Sequence, residues 1–228
     1  MILHWAGIEE GTMLMTERAT RIPEPTLRRL PSYHHLLTVL AGDGTQSVSC
    51  SVIGRALNLD PTQVRKDIAI TGIEGKPKVG YDIYDLMGSI ENFLGWNNPK
   101  QAFLAGVGNL GQALLGYQQF NRYGMDIVAA FDADPEKVGK NLYGREVLPL
   151  EKLANLARRM HVLIGIVAVP TDAAQFVADQ MVAGGIQAIW NFAPVSLDVA
   201  PGVIVQNEDL FASLAVLSNR LATATVGS

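Results

Sequence analysis

A single cysteine, Cys50, in 228 residues leaves no way to close a disulfide within the chain. That fits a reducing cytosol, and Cys50 itself reads as a small apolar side chain in a helix rather than a redox group. Charge is sparse as well: 18% of residues are charged and 48% are hydrophobic, which excludes a disordered chain and supports a packed core. No apolar run reaches the length of a membrane span. The first residues carry Trp5, Glu9, Glu10 and Glu17 rather than a basic start followed by an apolar block, so they are not expected to act as a secretory signal. Residues 1–20 are expected to form a loose tail, or to precede a true start at Met13 or Met15. The length sets one or two domains.

The net charge of −4 argues against a chain basic throughout. The charge is unevenly spread, however. From Arg21 to Gly80 there are eight Lys/Arg against five Asp/Glu, and from Tyr81 onward nine against fourteen. The basic segment follows Pro23 and Pro25 with a helical pattern, Thr26 to Leu40, in which Leu27, Leu30, Leu36, Leu37 and Leu40 are apolar and Pro31 is expected to bend or restart the helix. After the breaker Ala41-Gly42-Asp43-Gly44, Ser49 can cap a second helix from Cys50 to Leu57, ended by Asn58-Leu59. Asp60-Pro61-Thr62 then joins a capping carboxylate to a proline at the first helical position. In that third helix Val64 and Ile68 face inward, leaving Thr62, Gln63, Arg65, Lys66 and Ala69 outside.

Such an arrangement is a helix-turn-helix or an ordinary small helical bundle. The next loop, Gly72-Ile73-Glu74-Gly75-Lys76-Pro77-Lys78-Val79-Gly80-Tyr81, favours the first. Its glycines, proline and two lysines have the composition of a wing that lies along a phosphate backbone. Arg65 and Lys66 are then expected at the DNA surface with Thr62 beside them, Gln63 at base edges, and Lys76 and Lys78 on phosphates. A stripe of Ile83, Leu86, Met87, Ile90, Phe93 and Leu94 reads as a connecting helix, ended by Gly95 to Pro99.

From Lys100 the chain alternates short apolar runs with helical stretches, the α/β signature. Gln101 to Ala105 runs without charge into Gly106-Val107-Gly108-Asn109-Leu110-Gly111 and a helix-forming segment. In a dinucleotide site the first glycine turns the chain off the strand, the second admits a pyrophosphate and the third lets helix and sheet meet. The helix start adds unpaired N–H groups and a positive dipole end. A glycine triplet alone is also compatible with any tight turn. Here a second strand, Met125 to Phe131, ends in Asp132 at the spacing expected of a ribose-binding carboxylate, which would repel the 2′-phosphate of NADP. The alternative role for Asp132 is to cap the turn at Pro135. Further strands are expected at Val162 to Val169, Ala188 to Asn191 and Val203 to Gln206, with a helix capped by Thr171-Asp172 and closed at Gly184-Gly185. A last helix, Leu210 to Leu221, is so apolar that its own domain or a partner subunit must cover it.

Taken together, Arg29-Leu30-Pro31-Ser32-Tyr33, Gln63-Val64-Arg65-Lys66-Asp67-Ile68, Val79-Gly80-Tyr81, the glycine motif, Phe131-Asp132-Ala133-Asp134-Pro135-Glu136-Lys137-Val138-Gly139, Val167-Ala168-Val169-Pro170 and Asn191-Phe192-Ala193-Pro194 resemble the Rex family of redox-sensing transcriptional repressors. The resemblance runs from about Pro23 to Leu221. It implies an α/β fold: an N-terminal winged helix, a Rossmann-type parallel-sheet domain and a C-terminal helix exchanged in a homodimer. The implied divisions are a tail at 1–20, a winged helix at 21–81, a connector at 82–99, a Rossmann domain at 100–207 and the exchanged helix at 208–228. It also implies a cytoplasmic repressor, with no membrane, that sits on palindromic operator DNA and leaves when NADH binds. Gly106 to Gly111, Asp132, Lys137, Ala168, Val169, Pro170, Asn191 and Phe192 would hold NADH or NAD+, and Asp209, Leu210 and Phe211 would begin a switch helix. The chain departs from the family pattern at Ala69-Ile70-Thr71-Gly72, at Lys76-Pro77-Lys78 in the wing, and at His35, where the family often has Arg.

Two other functions fit parts of the sequence. A nucleotide-binding module without DNA binding is suggested by the altered wing. A small NAD-dependent oxidoreductase needs a proton donor or acceptor at the carboxyl ends of the strands. His161 stands at the amino end of its strand, His4, His34 and His35 lie outside the segment, and no Tyr has a Lys four residues later. Neither catalytic nor metal-binding residues are expected, since the adjacent His34-His35 cannot converge on one ion.

Overall fold

The computed structural model describes residues 22–226, so the expected tail and alternative start lie outside the described residues. The chain divides into two compact units that meet in sequence between Leu94 and Gly95. The first is built from α1 (Glu24–Gly42), β1 (Ser47–Val48), α2 (Cys50–Leu57), α3 (Pro61–Ala69), β2 (Tyr81–Asp82) and α4 (Ile83–Leu94). The second contains β3 (Lys100–Ala105), α5 (Asn109–Gly116), β4 (Met125–Asp132), β5 (Asn141–Leu142), β6 (Arg145–Pro149) and α6 (Leu153–Met160). It continues with β7 (Ile164–Val167), α7 (Thr171–Ala183), β8 (Ala188–Asn191), β9 (Ile204–Asn207) and α8 (Leu210–Val226).

The local signals act as their chemistry requires at α2 and α3. Ser49 accepts from the Val52 N–H, and Asp60 Oδ1 accepts from Thr62 at 2.7 Å and Gln63 at 3.2 Å. Asn58, in a left-handed conformation (φ 54°), ends α2. Gly54 makes the turn between the two helices possible, because a Cβ there would lie 2.6 Å from the Leu59 carbonyl oxygen. The loop after α3 closes into a small wing: β2 pairs antiparallel with β1, and Lys76 bridges Gly80.

Pro31 does not break α1, which is helical throughout. Leu30, Tyr33 and Leu37 bury one face on both sides of the proline. Thr26, Arg29 and Tyr33 also tie both sides of it to a single group on α3. That group is Asp67, 1% exposed. Arg29 forks onto both carboxylate oxygens, Nε to Oδ2 at 2.6 Å and Nη2 to Oδ1 at 2.8 Å. Tyr33 donates its hydroxyl to Oδ2 at 2.6 Å, and Thr26 and Gln63 donate to Oδ1 at 3.0 and 2.9 Å. Tertiary packing and this cluster outweigh the one helical bond that a proline removes. The stripe expected as a connector is instead part of the first unit, with Ile83, Leu86 and Ile90 of α4 buried in its core.

The second unit is a sheet in the order β5-β6-β4-β3-β7-β8-β9, parallel except for β5. Its order reverses at β3, where the chain passes from one side of the sheet to the other, and ligands of open α/β sheets bind at that point. One face packs Phe103, Phe131, Val167 and Ile189 against α6 and α7. The other packs Leu104, Ala130 and Ile166 against Leu114 and Leu115 of α5 and Phe120 just beyond it.

Several boundaries differ from those the sequence predicts. The β5–β6 hairpin and α6 are not among the expected elements, although α6 is clearly amphipathic with Leu153 and Ala157 buried; the hairpin turns through Tyr143 (φ 51°) and Gly144 (φ 81°), the two-residue geometry that matches strand twist. The strand expected from Val162 is only β7, because the Val162 N–H is engaged with the Ala157 carbonyl at the end of α6. Thr171 does not cap α7: it is the first helical residue, Pro170 holds the cap position, and no side chain bonds there. The last helix extends to Val226, beyond the expected Leu221.

Burial alone would push the Asp67 carboxyl up, but Arg29, Tyr33, Gln63 and Thr26 together hold it down at about 2, from an ordinary 3.8. A lowered folded-state value contributes stability above the unfolded value that is lost as pH falls through the folded one. The first unit should therefore lose about 2 kcal/mol between roughly pH 4 and pH 2 through this group. Urea unfolding of the full chain and of Asp67→Asn checks it: the variant should be weaker at neutral pH, and the difference should shrink as pH falls across that window.

Candidate functional site

In the second unit the strands end in register. Ala105 lies beside Phe131 and Val167, Val167 beside Asn191, and Asn191 beside Asn207. The next residues, Gly106, Asp132, Ala168, Phe192 and Glu208, therefore form a row along the carboxyl edge.

The three glycines of the motif have different reasons to be glycine. Gly106 has φ 93°, and a Cβ there would lie 2.5 Å from the Ala168 carbonyl oxygen. A Cβ on Gly111 would run into the Gly106 carbonyl oxygen, so helix and strand could not meet. At Gly108 a Cβ would meet nothing within 4 Å. The fold requires the first and third glycine and has no use for the second. Gly108 is also the cap of α5 and no side chain caps that end. An open backbone beside the first-turn N–H groups is what a pyrophosphate needs. These residues fit a bound dinucleotide.

Asp132 performs the capping role and more. Its Oδ1 accepts from the Asp134 N–H at 2.9 Å, while Oδ2 accepts from the Val107 N–H at 2.8 Å and from Lys137 Nζ at 3.2 Å. Burial pushes this carboxyl up, yet the Asp134 and Val107 N–H groups and Lys137 hold it below the ordinary range. It is thus a fixed anion tying the glycine loop to the turn after β4. With two acceptor positions per oxygen, Oδ1 keeps one for a ribose hydroxyl.

Ala168 and Val169 lie directly on the glycine loop: the Ala168 N–H reaches the Ala105 carbonyl at 2.9 Å, and Val169 Cγ1 would be 2.8 Å from a Cβ on Gly106. Pro170 is exposed at the same edge and Phe192 is half-buried. Asn191 is fully buried and holds the turn itself, its Nδ2 donating to the Val195 carbonyl and Asn207 Oδ1 at 2.8 Å each while its Oδ1 accepts from the Ala193 N–H at 3.0 Å. Asn109 and Leu110 are exposed at the start of α5. Asp209 Oδ1 caps α8, accepting from the Phe211 and Ala212 N–H groups at 2.9 Å each, and Phe211 is 68% exposed.

In the first unit Thr62, Arg65, Lys66 and Ala69 are exposed on one face of α3, at the i, i+3, i+4, i+7 spacing that a groove-binding helix needs. Gln63 is half-buried and its amide is spent on Asp67, so it positions the helix as well as facing its rim. Arg65, Lys76 and Lys78 together line a groove of about 450 Å³ with Ser49 and Ser51, between α2, α3 and the wing. Lys78 sits at the wing tip in the left-handed region, φ 63°. Gly80 closes the wing on β1, where a Cβ would strike the Val48 carbonyl oxygen.

Sequence reasoning gave no role to Asp67, Gly54, Trp190 or Glu208. A glycine inside α2, five residues before Leu59, is a signal that could have found Gly54. The roles of Asp67 and Glu208 depend on partners distant in sequence. Among the described residues, no three His, Cys, Asp or Glu side chains gather where a metal could bind.

Residues 21–69 match the family described as the putative DNA-binding protein N-terminus, and residues 97–195 match the CoA binding domain. The chain is 44% identical to the redox-sensing transcriptional repressor Rex of Porphyromonas gingivalis, over 89% of this chain and 93% of that protein. It is 46% identical to the protein of the same name from Treponema denticola, over 87% and 95%. Among solved structures, RSP in complex with β-NAD+ and operator DNA aligns with a TM-score of 0.85 at 32% identity, covering 91% of this chain and 95% of that one. RSP in complex with β-NADH aligns at 0.82 and 32%, covering 91% and 97%.

The glycine geometry makes a sharp prediction. Gly111→Ala should cost about 1–3 kcal/mol or more by overpacking. Gly108→Ala should leave the melting temperature unchanged and weaken NADH by on the order of tenfold or more, as the new methyl meets the pyrophosphate. Thermal melts beside NADH fluorescence titrations separate the two; a Gly108→Ala chain that binds NADH normally would remove the pyrophosphate from this loop.

Proposed function

Because the chain belongs to the Rex family of redox-sensing transcriptional repressors, we propose that it holds operator DNA when NADH is scarce and releases it when NADH binds at the carboxyl edge. The observation that carries this reading is the pairing, on one chain, of an exposed α3 stripe beside a basic wing groove with a dinucleotide cradle whose middle glycine the fold does not need. Arg65 and Lys66 meet the DNA, with Thr62 and the Gln63 rim close to base edges, and Lys76 and Lys78 grip phosphates. The pyrophosphate lies on Gly106 to Gly111. Asp132 takes the adenosine ribose and favours NAD(H) over NADP(H), with Lys137 beside it. Such a repressor works in the cytoplasm, and the nucleotide is a sensed ligand rather than a hydride donor in catalysis.

A homodimer accounts for two surfaces that the chain leaves uncovered. Phe211, Leu214, Val216 and Leu217 of α8 are each more than half exposed. On the α5 side of the sheet, Ile204 of β9 is 68% exposed, and Trp190 of β8 is only half-buried. Apolar area of this kind is stabilised by about 25 cal/mol per Å² when covered. Exchange of α8 between two copies covers both surfaces at once and makes a two-fold protein for a palindromic site.

Redox sensing follows from the edge chemistry. Val169, Pro170 and Phe192 offer the nicotinamide an apolar wall, which penalises the cationic oxidised ring more than the neutral reduced one. The start of α8, Asp209 to Phe211, closes over NADH from the other subunit and shifts the spacing of the two winged units. Coupling of about 1–3 kcal/mol at each of two sites approaches the roughly 5.5 kcal/mol of a near-complete switch.

Anisotropy of a labelled palindromic duplex, titrated with NADH and then NAD+, tests the whole reading: NADH should release the DNA at a concentration where NAD+ does not. Arg65→Ala with Lys66→Ala should weaken duplex binding, keep NADH affinity and flatten the salt slope by about one unit for each phosphate that is no longer neutralised. Unchanged duplex affinity would take DNA away from α3. Leu214→Asp with Leu217→Asp should convert the dimer to a monomer in sedimentation equilibrium, and a monomeric wild type would refute the exchange.

A further inference from the structure

Glu208 is the one carboxylate of the edge row that lies on the far side of β3 from Asp132. Its backbone N–H donates to the Asn191 carbonyl at 2.8 Å, which fixes it beside the end of β8. Its side chain is folded back across β8, where Oε1 accepts the indole N–H of Trp190 at 3.0 Å. The Trp190 ring in turn packs on Phe192, centroid to centroid 4.7 Å. The charge is therefore drawn toward the aromatic wall rather than left to swing into solvent. Its neighbour Asp209 behaves differently, being engaged in capping α8.

A dinucleotide laid across this edge has its pyrophosphate at the loop after β3 and its adenosine half over β4, at Asp132. The nicotinamide half then extends over the ends of β7 and β8, and β9 is one strand spacing, about 4.8 Å, further on. We propose that Glu208 is a specificity-determining residue of the nucleotide site, its carboxylate held by Trp190 near the nicotinamide so that it favours the cationic oxidised ring. The inference rests on the NAD(H)-sensing reading above. Its consequence is a set point: the apolar wall favours NADH, Glu208 opposes it, and the ratio of NADH to NAD+ at which the protein responds is higher than the wall alone would set. A unit charge within one or two strand spacings of the ring, with the screening usual near a protein surface, is sufficient to change an affinity by on the order of tenfold.

Glu208→Gln separates charge from architecture, because the amide oxygen still accepts the indole N–H while the charge is gone. Isothermal titration of both nucleotides into the full chain should show NAD+ weakened by on the order of tenfold and NADH by less than about threefold, so their affinity ratio moves toward NADH. Trp190→Phe keeps an aromatic ring beside Phe192 but drops the indole N–H, and should move the ratio the same way by a smaller factor. A purely structural tie predicts the opposite ranking, with no ratio change in Glu208→Gln. If wild type binds both nucleotides and Glu208→Gln leaves their ratio within about twofold, this proposal is overturned and the sensing reading stands. If wild type binds neither, the sensing reading itself falls and takes this one with it.

Discussion

A buried carboxylate must collect donors or lose its charge, and each unit of this protein fixes its working element through that constraint. Asp67 holds α3 to α1 through Thr26, Arg29 and Tyr33, with Gln63 bonded to it from the same helix. Asp132 holds the glycine loop to the turn after β4 through Val107, Asp134 and Lys137. Among the described residues no buried side-chain nitrogen or oxygen lacks a partner. In both places the anion stands behind an exposed element, the outer face of α3 in one unit and the glycine loop in the other. It sets where the backbone or helix face lies, which looser apolar packing would not do with the same directionality.

The two working surfaces follow from this anchoring. With Val64, Asp67 and Ile68 turned inward, geometry leaves Thr62, Arg65, Lys66 and Ala69 outward. With β3, β4, β7, β8 and β9 ending in register, the chain must leave the sheet along one edge, and the loops diverge on either side of Gly106. The ends of that row differ in chemistry: Asp132 is held by backbone N–H groups and Lys137 on one side, and Glu208 is held by the aromatic Trp190 beside Phe192 on the other.

How much of this could be read from the chain depends on the range of the forces involved. Caps such as Asp60 and Ser49 act within a few residues, and their helices begin where the residue types place them. Pro31 by itself predicts a bend or restart in α1, but the competing forces, burial of Leu30 and Leu37 and the ties to Asp67, come from residues more than thirty positions away. The β5–β6 hairpin is illegible for a different reason: Tyr143-Gly144 is a weak turn signal, and Arg145-Glu146-Val147-Leu148-Pro149 has too few alternating apolar residues to read as a strand. Thr171 shows the same limit in reverse, a residue type suited to capping that the backbone of Pro170 displaced by one position.

By itself the sequence determined the helix-turn-helix with its lysine-bearing loop, the glycine loop followed by an acidic strand end, and the later strands around one capped helix. These rest on local backbone preference and on hydrophobic period, both written in neighbouring residues. Only the tertiary structure decided that Gly108, unlike Gly106 and Gly111, is not required by the fold, since that depends on which carbonyls lie over each Cα. It alone placed α4 in the core of the first unit, drew Gln63 onto Asp67, and brought Glu208 to Trp190. The Gln63–Asp67 bond spans a single helical turn but forms because distant Arg29 and Tyr33 fix the carboxylate, and the others depend on which strands and helices pack together, which residue spacing does not record.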